Sequence, residues 1–464
     1  AIVSCSDDDS FSTSQANRLT FSTDTVKLDT VFSKVPTATK TFWVYNRSGD
    51  GIRCSNIRLA NGNQTGFRVN VDGSYLGATS GYQVNDLEIR KNDSIRVFVE
   101  LTSPNNNQVE PTLLQDDLVF SLESGTQQKV NLRAWTWDVE MWNNPLIDSD
   151  TTIPASKPII IYGGLTVNQG ATLTIEQGAT LFFHADAGME VYGRLMINGT
   201  VDNNVVLRGD RIDRMFDYLP YDRVSGQWKG IHFHESSYEN VIDFADIHSA
   251  GDAIVCDSSD VSRLKLSLYN SIVHNNEGHG LKSVHAVVDV ENCQITNTLG
   301  DCVNICGGVC LLKHCTMAQF YPFSADRGVA LRFGNVNSDG VYPLYDFSCI
   351  NSLITGYADD VIMGEADPTA NYVFKFDHCV LRTPAIDDTE RIISVVWENP
   401  EKEDSVGTHH FALIDVDLQD YDFRLDSLSI AIGKANPEMV LEYDRLGVRR
   451  DDEPDVGCYE YVKP

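Results

Sequence analysis

The sequence has no uninterrupted run of eighteen apolar residues, so it contains no candidate for a membrane-spanning helix. Helix-favouring residues never gather into a long amphipathic stretch, which argues against a helical core. Basic residues are few: 36 lysines and arginines stand against 66 aspartates and glutamates, a net charge of -30. An acidic surface repels phosphate, which argues against nucleic acid and anionic lipid as direct partners. It also disfavours a polyuronate unless a cation bridges it.

What the chain has instead is a short phrase that returns at a fixed interval. Residues 270–273 read Asn-Ser-Ile-Val, and related phrases follow at 292–295 and 314–317, a spacing of 22 residues each time. Weaker copies stand at 245–248, 351–354 and 378–381. Short segments rich in β-branched residues that recur at such a spacing predict a solenoid, in which each rung buries its apolar face against the next. We therefore predict a right-handed parallel β-helix.

The segment 159–200 has the same rhythm, with strand-like pieces alternating with glycine turns. Glycine supplies the backbone angles that the corners of a rung need. This stretch resembles the opening rungs of bacterial right-handed β-helix proteins of the pectate-lyase-like superfamily, and the resemblance implies the same fold here.

The C-terminus carries a second resemblance. Residues 421–433, 444–450 and 455–461 are similar to the tail of the choice-of-anchor Q group of surface β-helix proteins. That group usually has Ser-Pro-Ala-Ile-Asp where this chain has Ser-Ile-Ala-Ile-Gly at 429–433, so the match is partial. We expect residues 416–464 to cover the last rung, because an open solenoid end exposes unpaired strand edges.

Residues 17–138 have a different texture. Pieces rich in β-formers at 18–22, 41–46, 94–101 and 117–122 are separated by Asn, Gly and Ser clusters, a spacing typical of a β-sandwich. The segment resembles the immunoglobulin-like modules of Bacteroidetes surface proteins, which implies a spacer or, less commonly, a ligand-binding sandwich.

The predicted fold class is all-β. It comprises a tether (1–16), an immunoglobulin-like β-sandwich (17–138), a right-handed parallel β-helix (139–415) and its C-terminal cap (416–464).

The first ten residues, Ala-Ile-Val-Ser-Cys-Ser-Asp-Asp-Asp-Ser, resemble a bacterial lipobox followed by an acidic run. A small residue stands directly before the cysteine, and the resemblance implies that Cys5 becomes the lipidated first residue of the mature protein. The acidic run resembles the signal that directs Bacteroidetes lipoproteins to the outer face of the outer membrane. The alternative is a disordered acidic tail with a chance cysteine. We expect a cell-surface lipoprotein.

The chain has eleven cysteines, ten of them besides Cys5. Cys293 and Cys315 occupy equivalent rung positions, and Cys349 or Cys379 extends the column. Inward columns of buried thiols fit this pattern, since a free cysteine packs as a small hydrophobe. Disulfides are a second interpretation, because cell-surface proteins often have them. The third is a zinc site from Cys302, Cys306 and Cys310, although their spacing of four does not match the common Cys-x-x-Cys pattern.

The phrase Gly278-His279-Gly280 resembles the Gly-His-Gly motif of β-helical polygalacturonases. The companions of that motif are missing here, as is the Arg-x-Pro-x-x-Arg arrangement of pectate lyases. Because adjacent rungs lie about 4.8 Å apart, we expect His279 and Asp301 to be neighbours on one ledge, with Asp252 below. The trio is either a weak candidate catalytic site or a ladder of polar turn residues. An inverting glycosidase needs two carboxyl groups about 6.5–9.5 Å apart.

Residues 208–223 interrupt the rungs with four arginines, four aspartates and three aromatic residues. Aromatic faces and guanidinium forks suit sugar stacking and bidentate hydrogen bonds. We therefore predict ligand contacts from Arg211, Arg214, Tyr218 and Tyr221. A similar Gly-Asp-Arg insertion before Trp-x-Gly-Ile occurs in related Bacteroidetes β-helices, which implies the alternative that this segment only braces the fold.

Two hypotheses for the function follow. One is a non-catalytic surface lipoprotein that binds a glycan or a protein partner along a β-helical rod, anchored to the outer membrane by its lipid. The other is a β-helix polysaccharide lyase or glycoside hydrolase. We favour binding, because the sequence contains no complete catalytic set. We expect a monomer with no cofactor, no metal site and no nucleic-acid partner.

Overall fold

The computed structural model describes residues 10–399, 401 and 407–463. The chain divides into two compact units, residues 1–139 and 140–464. Within the described residues there is no α-helix, and the short 3-10 helices lie at Ala78–Ser80, Tyr221–Arg223, Gly407–His410 and Pro437–Met439. None of the helices in this part of the chain is long and apolar enough to cross a membrane.

The first unit is built from two five-stranded sheets. In spatial order, the first contains Leu19–Phe21, Lys40–Asn46, Ser94–Leu101, Phe67–Val71 and Ser74–Tyr75. The second contains Thr25–Phe32, Gln127–Trp137, Thr112–Leu122, Ile52–Leu59 and Gln83–Ile89. All neighbouring strands are antiparallel except the first two of the second sheet, which run parallel. Burial alternates along the strands, so one face of each sheet is apolar. The apolar residues of both sheets form one shared core, as in a sandwich.

The second unit contains two large sheets whose strands all pair in parallel. The eleven-stranded sheet contains Glu140–Asn143, Ile159–Tyr162, Thr180–Phe183, Val205–Gly209, Ala245–His248, Ile272–Asn276, Gln294–Thr298, Thr316–Gln319, Leu353–Gly356, Val380–Leu381 and Val396–Trp397. The seventeen-stranded sheet contains Leu146–Ile147, Thr151–Ile153, Leu165–Val167, Thr172–Glu176, Met189–Val191, Arg194–Asn198, Ile231–Phe233, Asn240–Asp243, Ile254–Cys256, Leu266–Tyr269, Leu281–Glu291, Val303–Lys313, Leu331–Gly334, Leu344–Ile350, Ile362–Glu365, Tyr372–Asp377 and Ile392–Ile393. Three small hairpins are Arg214–Phe216 with Leu219–Pro220, Val336–Asn337 with Gly340–Val341, and Phe411–Asp415 with Asp420–Leu425.

One rung corresponds to one period of the sequence repeat. Val273 pairs with Ile295, and Ile295 pairs with Met317, each 22 residues further on. The seventeen-stranded sheet carries two parallel ladders that join in Leu281–Glu291, since this strand pairs with both Ile254–Cys256 and Leu266–Tyr269. The inward side chains of successive rungs form one continuous apolar core. The predicted fold class, a sandwich followed by a parallel β-helix, is confirmed.

The repeated phrase marks a corner of the helix. Its first residue has a positive φ of 46–54° in five rungs: Asn270, Asn292, His314, Asn351 and His378. Asn adopts this left-handed conformation more readily than most residues. The side chains also bond from rung to rung, since the Asn292 amide donates to Asn270 Oδ1 at 3.1 Å. The residue after the corner turns inward and is fully buried, as at Ser271, Cys293, Cys315, Ser352 and Cys379.

The ten cysteines of the described residues are all buried, and none forms a disulfide. The sulfurs of Cys349 and Cys379 lie 3.8 Å apart, and Cys293 Sγ donates to the Leu268 carbonyl at 3.3 Å. Two groups of candidate metal ligands occur within the described ranges, and neither contains a cysteine. The structure therefore favours buried thiols over the other two interpretations. Cys5 lies outside the described residues.

The C-terminal segment lies along the side of the eleven-stranded sheet. The Gly457 N–H donates to the Asn351 carbonyl at 2.8 Å, and the Tyr459 hydroxyl donates to Gln294 Oε1 at 2.7 Å. Apolar residues of this segment share a core cluster with residues of the sheet: Phe411, Phe423 and Val456 with Ala318, Leu353 and Val380. The segment thus joins several rungs laterally. That it also covers the last rung stays a prediction.

Candidate functional site

Two histidines stand on the outer face of the seventeen-stranded sheet. The strand Ile231–Phe233 buries its first and last residues, so the alternation of a β-strand turns His232 and the following His234 outward. The register pairs His232 with Glu190 of the preceding rung, and Asp257 directly follows the paired strand of the next rung. Parallel stacking therefore joins side chains from three rungs in one patch.

Hydrogen bonds between imidazoles and carboxylates hold this patch together. Glu190 Oε2 lies 2.6 Å from His234 Nε2 and 3.4 Å from His232 Nδ1. Asp257 Oδ1 lies 2.9 Å from His232 Nε2, and its Oδ2 lies 3.5 Å from His234 Nδ1. The ring of Tyr192 stacks on His234, with centroids 3.9 Å apart and planes 3° from parallel. Both nitrogens of each imidazole therefore face a carboxylate.

An open cavity of about 490 Å³ borders the patch, and we call it the Tyr192 cleft. It is lined by Tyr192, His234, Glu235, Ser236, Tyr238 and Asp257. Tyr192 is 40% exposed, and the guanidinium of Arg263 lies over the ring of Tyr238 at 3.9 Å. The cleft therefore combines aromatic surface with carboxylate and hydroxyl groups, a combination typical of small-molecule sites.

The three predicted catalytic candidates lie two residues before the starts of successive strands in the same sheet. His279 Nδ1 is 2.9 Å from Asp252 Oδ1, and His279 Nε2 is 3.7 Å from Asp301 Oδ2. The structure thus brings His279, Asp252 and Asp301 together in one row.

The glycines beside His279 have a packing role. A Cβ atom at Gly278 would lie 2.2 Å from Asp252 Oδ1, and one at Gly280 would lie 2.6 Å from the Cys302 carbonyl oxygen. Neighbouring rungs approach too closely here for a larger residue. Stacking alone is therefore sufficient to explain the Gly-His-Gly phrase.

The charges around the trio do not favour acid catalysis. The hydrogen bond from His279 lowers the pKa of Asp252. Asp301 is buried and accepts hydrogen bonds from Arg332 Nε and Asn304 Nδ2, each at 2.8 Å. Because the general acid of a glycosidase needs a raised pKa, Asp252 is unsuited to that role. The geometry matches a ladder of paired charges, and a catalytic role stays a prediction.

The arginines predicted to bind ligand are engaged inside the insertion 208–223. Arg211 donates two hydrogen bonds to Asp213, each of 2.7 Å, and its guanidinium lies 3.8 Å from the ring centroid of Tyr221. Arg214 donates to the carbonyl of Asp217 at 2.9 Å. These contacts leave the guanidinium groups fewer free donors for a ligand than the sequence suggested.

The aromatic part of the insertion is more open. Tyr218 and Phe216 are 48% and 55% exposed, and their near-parallel rings have centroids 5.8 Å apart. Arg223 meanwhile ties the insertion to the C-terminal hairpin, because it donates to Asp420 Oδ1 and to the Leu418 carbonyl at 2.9 Å each. The insertion therefore braces the fold and also presents one aromatic pair. Ligand binding at this pair stays a prediction.

A second cavity, of about 360 Å³, lies between the eleven-stranded sheet and the C-terminal segment. Its lining includes His274, Gln294, Asp420, Asp422, Arg424 and Tyr459. Arg424 is already paired with Asp422 at 2.5 Å, and the Tyr459 hydroxyl is bonded to Gln294. Two further residues of the lining, Asn297 and Gln419, have buried side-chain oxygens without a hydrogen-bond partner. This cavity is therefore a second candidate for a ligand site.

The base of the insertion encloses a charged cluster. Asp222 accepts a hydrogen bond from Arg208 and lies 2.9 Å from His248 Nε2. Asp246 lies 2.9 Å from His248 Nδ1 and 3.0 Å from His274 Nε2. Burial acts to lower the pKa of His248, but attraction to Asp246 and the hydrogen bonds that His248 donates to both aspartates outweigh it and raise the pKa to about 9. His248 is therefore a buried cation at neutral pH.

We expect the free energy of unfolding to fall by about 2–3 kcal/mol between about pH 6.5 and 8.5 because of His248. Its pKa of about 9 lies above the unfolded value of 6.5, so its contribution is complete below the unfolded pKa and is lost as the pH rises. Urea unfolding followed by circular dichroism measures this slope. His248→Gln should flatten it. An unchanged slope in His248→Gln would contradict the assignment.

Sequence reasoning missed Glu190, His232, His234 and Asp257. The one available signal was the phrase His-Phe-His at 232–234, because alternate residues of a strand share a face. The carboxylates come from other rungs, and the insertion 208–223 separates Glu190 from the histidines in the sequence.

Comparison with known proteins assigns neither a family nor a function. No protein-family model matches the chain, and no curated protein matches it. Among solved structures, the chain is similar to the catalytic unit of a thermostable GH87 alpha-1,3-glucanase from Streptomyces thermodiastaticus. The match covers 77% of this chain and 75% of that one, with 11% identity and a TM-score of 0.30. A likeness this distant does not identify a ligand or an active residue.

Proposed function

We propose that the β-helix binds a carbohydrate chain on the outer face of its seventeen-stranded sheet, at the Tyr192 cleft. The observation that carries the proposal is an open cavity of about 490 Å³ lined by two tyrosines, two carboxylates and a serine. Aromatic rings offer large apolar faces on which sugar rings stack, and carboxylates accept hydrogen bonds from sugar hydroxyls. Because the face continues from rung to rung, it suits a chain better than a single sugar.

Charge favours a neutral carbohydrate. The chain carries a net charge of -30, and Glu235 and Asp257 add two carboxylates to the cleft itself. An acidic polysaccharide would be repelled at this surface unless a cation bridged the two, whereas a neutral one meets no such barrier.

Hydrolysis of the bound chain is a second candidate, favoured by the placement of Glu190 and Asp257. Their side chains are 42% and 40% exposed, and they lie on opposite sides of His232 and His234. Glycosidases use two carboxyl groups that flank the bond they cleave. His232 and His234 occupy the space between these two carboxylates and bond to both, so the linkage would lie over the exposed edges of the carboxylates rather than between them.

The test of binding removes both aromatic rings of the cleft. Tyr192→Ala with Tyr238→Ala should weaken binding at least about tenfold, since each aromatic contact contributes about 0.5–1.5 kcal/mol beyond its buried area and about 1.4 kcal/mol is tenfold. Isothermal titration calorimetry with soluble glucan, mannan and xylan oligosaccharides provides the measurement. The melting temperature should change little, because both rings are partly exposed.

The matched control is Arg214→Ala with Tyr218→Ala, which removes contacts predicted for the insertion. Loss of binding in this variant but not in the cleft variant would place the ligand at the insertion and overturn the cleft. Failure of the unmodified chain to bind any neutral oligosaccharide would refute the proposal. Reducing ends released by the unmodified chain, but not by Glu190→Gln or Asp257→Asn, would establish hydrolysis.

We also propose that this binding takes place at the bacterial cell surface. The support is the resemblance of residues 2–5 to a lipobox and of residues 6–9 to an acidic export signal, with Cys5 as the lipid-bearing residue. On this proposal the N-terminal sandwich is a spacer that holds the β-helix away from the outer membrane.

A further inference from the structure

Glu190, His232 and His234 have the arrangement of a metal site, and we propose that they bind a divalent transition-metal ion of the zinc class. Each offers one ligand atom, and the three atoms all lie within 4.8 Å of one another. The proposal departs from the expectation, drawn from the sequence alone, that the chain has no metal site. It does not depend on carbohydrate binding.

The geometry requires little adjustment to hold an ion. Glu190 Oε2 faces His234 Nε2 at 2.6 Å and His232 Nδ1 at 3.4 Å. Zinc bonds of about 2.0–2.2 Å to nitrogen and oxygen place neighbouring ligands of a tetrahedral site about 3.4 Å apart. The two histidine nitrogens lie within 4.8 Å of each other, so small rotations of the Glu190 carboxylate and of the two imidazoles would bring all three atoms to that spacing.

Asp257 supplies the outer partner that metal-bound histidines usually have. It faces the second nitrogen of both rings, His232 Nε2 at 2.9 Å and His234 Nδ1 at 3.5 Å. A carboxylate in this position accepts the remaining ring N–H, which fixes the tautomer and leaves the opposite nitrogen free to bind metal. The stack of Tyr192 on His234 further holds that ring in place. Asp257 and Tyr192 are thus positioning residues.

The donor set indicates the class of metal. Two imidazoles and one carboxylate suit Zn²⁺ and its transition-metal neighbours, whereas Ca²⁺ and Mg²⁺ take oxygen ligands. Three protein ligands leave one position of a tetrahedral site open. Since His234 also lines the Tyr192 cleft, a bound ion would lie beside a molecule in that cleft.

A second group, Asp246, His248 and His274, also places ligand atoms within 4.8 Å of one another. It is less suited to a metal ion, because His248 is only 5% exposed and both of its nitrogens are held by Asp222 and Asp246. With a pKa of about 9, His248 is protonated at neutral pH, and a protonated imidazole offers no lone pair. This group therefore provides a control.

The experiment is zinc titration of the full chain after treatment with a chelator. Calorimetry should show about one Zn²⁺ bound, and Co²⁺ should give the visible absorption of a tetrahedral site. His232→Ala and His234→Ala should each weaken zinc binding at least about 100-fold, and Asp257→Asn about 10–100-fold. His274→Ala should bind zinc like the unmodified chain, and Ca²⁺ and Mg²⁺ should not compete.

Three outcomes would overturn the assignment. In the first, the folded, unmodified chain does not bind zinc. In the second, His232→Ala and His234→Ala both bind zinc undiminished, and in the third, His274→Ala loses zinc binding. Melting curves separate loss of a ligand from loss of fold. If an alanine variant unfolds, Glu190→Gln keeps the side-chain volume and should still weaken zinc binding. These titrations contain no carbohydrate, so their result is independent of the test of glycan binding.

Discussion

Raising the pH from about 8.5 to about 9.5 should lower the free energy of unfolding of the β-helix by about 8 kcal/mol, which is comparable with the whole stability of most domains. Burial raises the pKa of eight of its thiols, for example to about 12 at Cys256, Cys302 and Cys458. The other five are Cys293, Cys306, Cys310, Cys315 and Cys349.

The direction of this effect follows from the raised pKa. Stability that comes from a group whose pKa is raised by folding is complete below the unfolded pKa, about 8.5 for a thiol. It is then lost as the pH rises towards the folded pKa. Each buried thiol therefore removes about 1 kcal/mol in the first pH unit above about 8.5, and about 1.4 kcal/mol for each further unit below its folded pKa. The contributions add when the β-helix unfolds in one step, as expected because six of the eight thiols lie in its continuous core.

A pH titration in reductant, followed by circular dichroism and thiol labelling, measures this loss. We expect the part of the β-sheet signal that comes from the β-helix to be lost between about pH 9 and 10.5, with its thiols becoming reactive in the same step. At pH 7 the thiols should react with the label only after denaturation, and this reaction should not require a reductant. Labelling that needs reductant would show disulfides instead. Complete labelling of a still-ordered chain would show that the thiols are not buried.

The β-helix could be predicted from sequence because its determinants are local and repeated. Asn270 and Asn292 stand one rung apart, each with positive φ, and the buried residue that follows each corner is small. The same regularity made the row of Asp252, His279 and Asp301 predictable, since equivalent positions on parallel rungs stack.

The Tyr192 cleft and its histidines were not predictable in the same way. His232 and His234 are adjacent on one face, but Glu190 lies before the insertion 208–223, which breaks the 22-residue spacing. Without a constant period, the sequence does not show which residue of one rung faces which residue of the next. The bracing contact of Arg223 with Asp420 spans 197 residues and likewise leaves no local pattern.

Replacing Trp228 by alanine should lower the free energy of unfolding of the β-helix by about 3–5 kcal/mol. Trp228 follows the insertion and is only 2% exposed. Its ring stacks on Phe183 with centroids 4.3 Å apart, and its Nε1 donates to the His248 carbonyl at 2.8 Å. Truncation would leave a cavity between rungs, and the backbone pairing of the rungs on either side would prevent this cavity from closing. It would also leave the buried His248 carbonyl without its hydrogen-bond donor.

Urea unfolding followed by far-ultraviolet circular dichroism gives the size of the loss. Trp228→Phe keeps an aromatic ring against Phe183 and should cost only about 1–2 kcal/mol, mainly for the lost hydrogen bond. Trp135→Ala, at a 49% exposed position of the first unit, should not weaken the β-helix. Hydrogen exchange should place the weakened region around Thr180–Phe183 and Ile231–Phe233, because solenoid rungs depend mainly on their neighbours.

A cost below about 1 kcal/mol for Trp228→Ala would contradict the packing described. The bracing role of residues 208–223 would then be in doubt as well, because Trp228 links their end to the core.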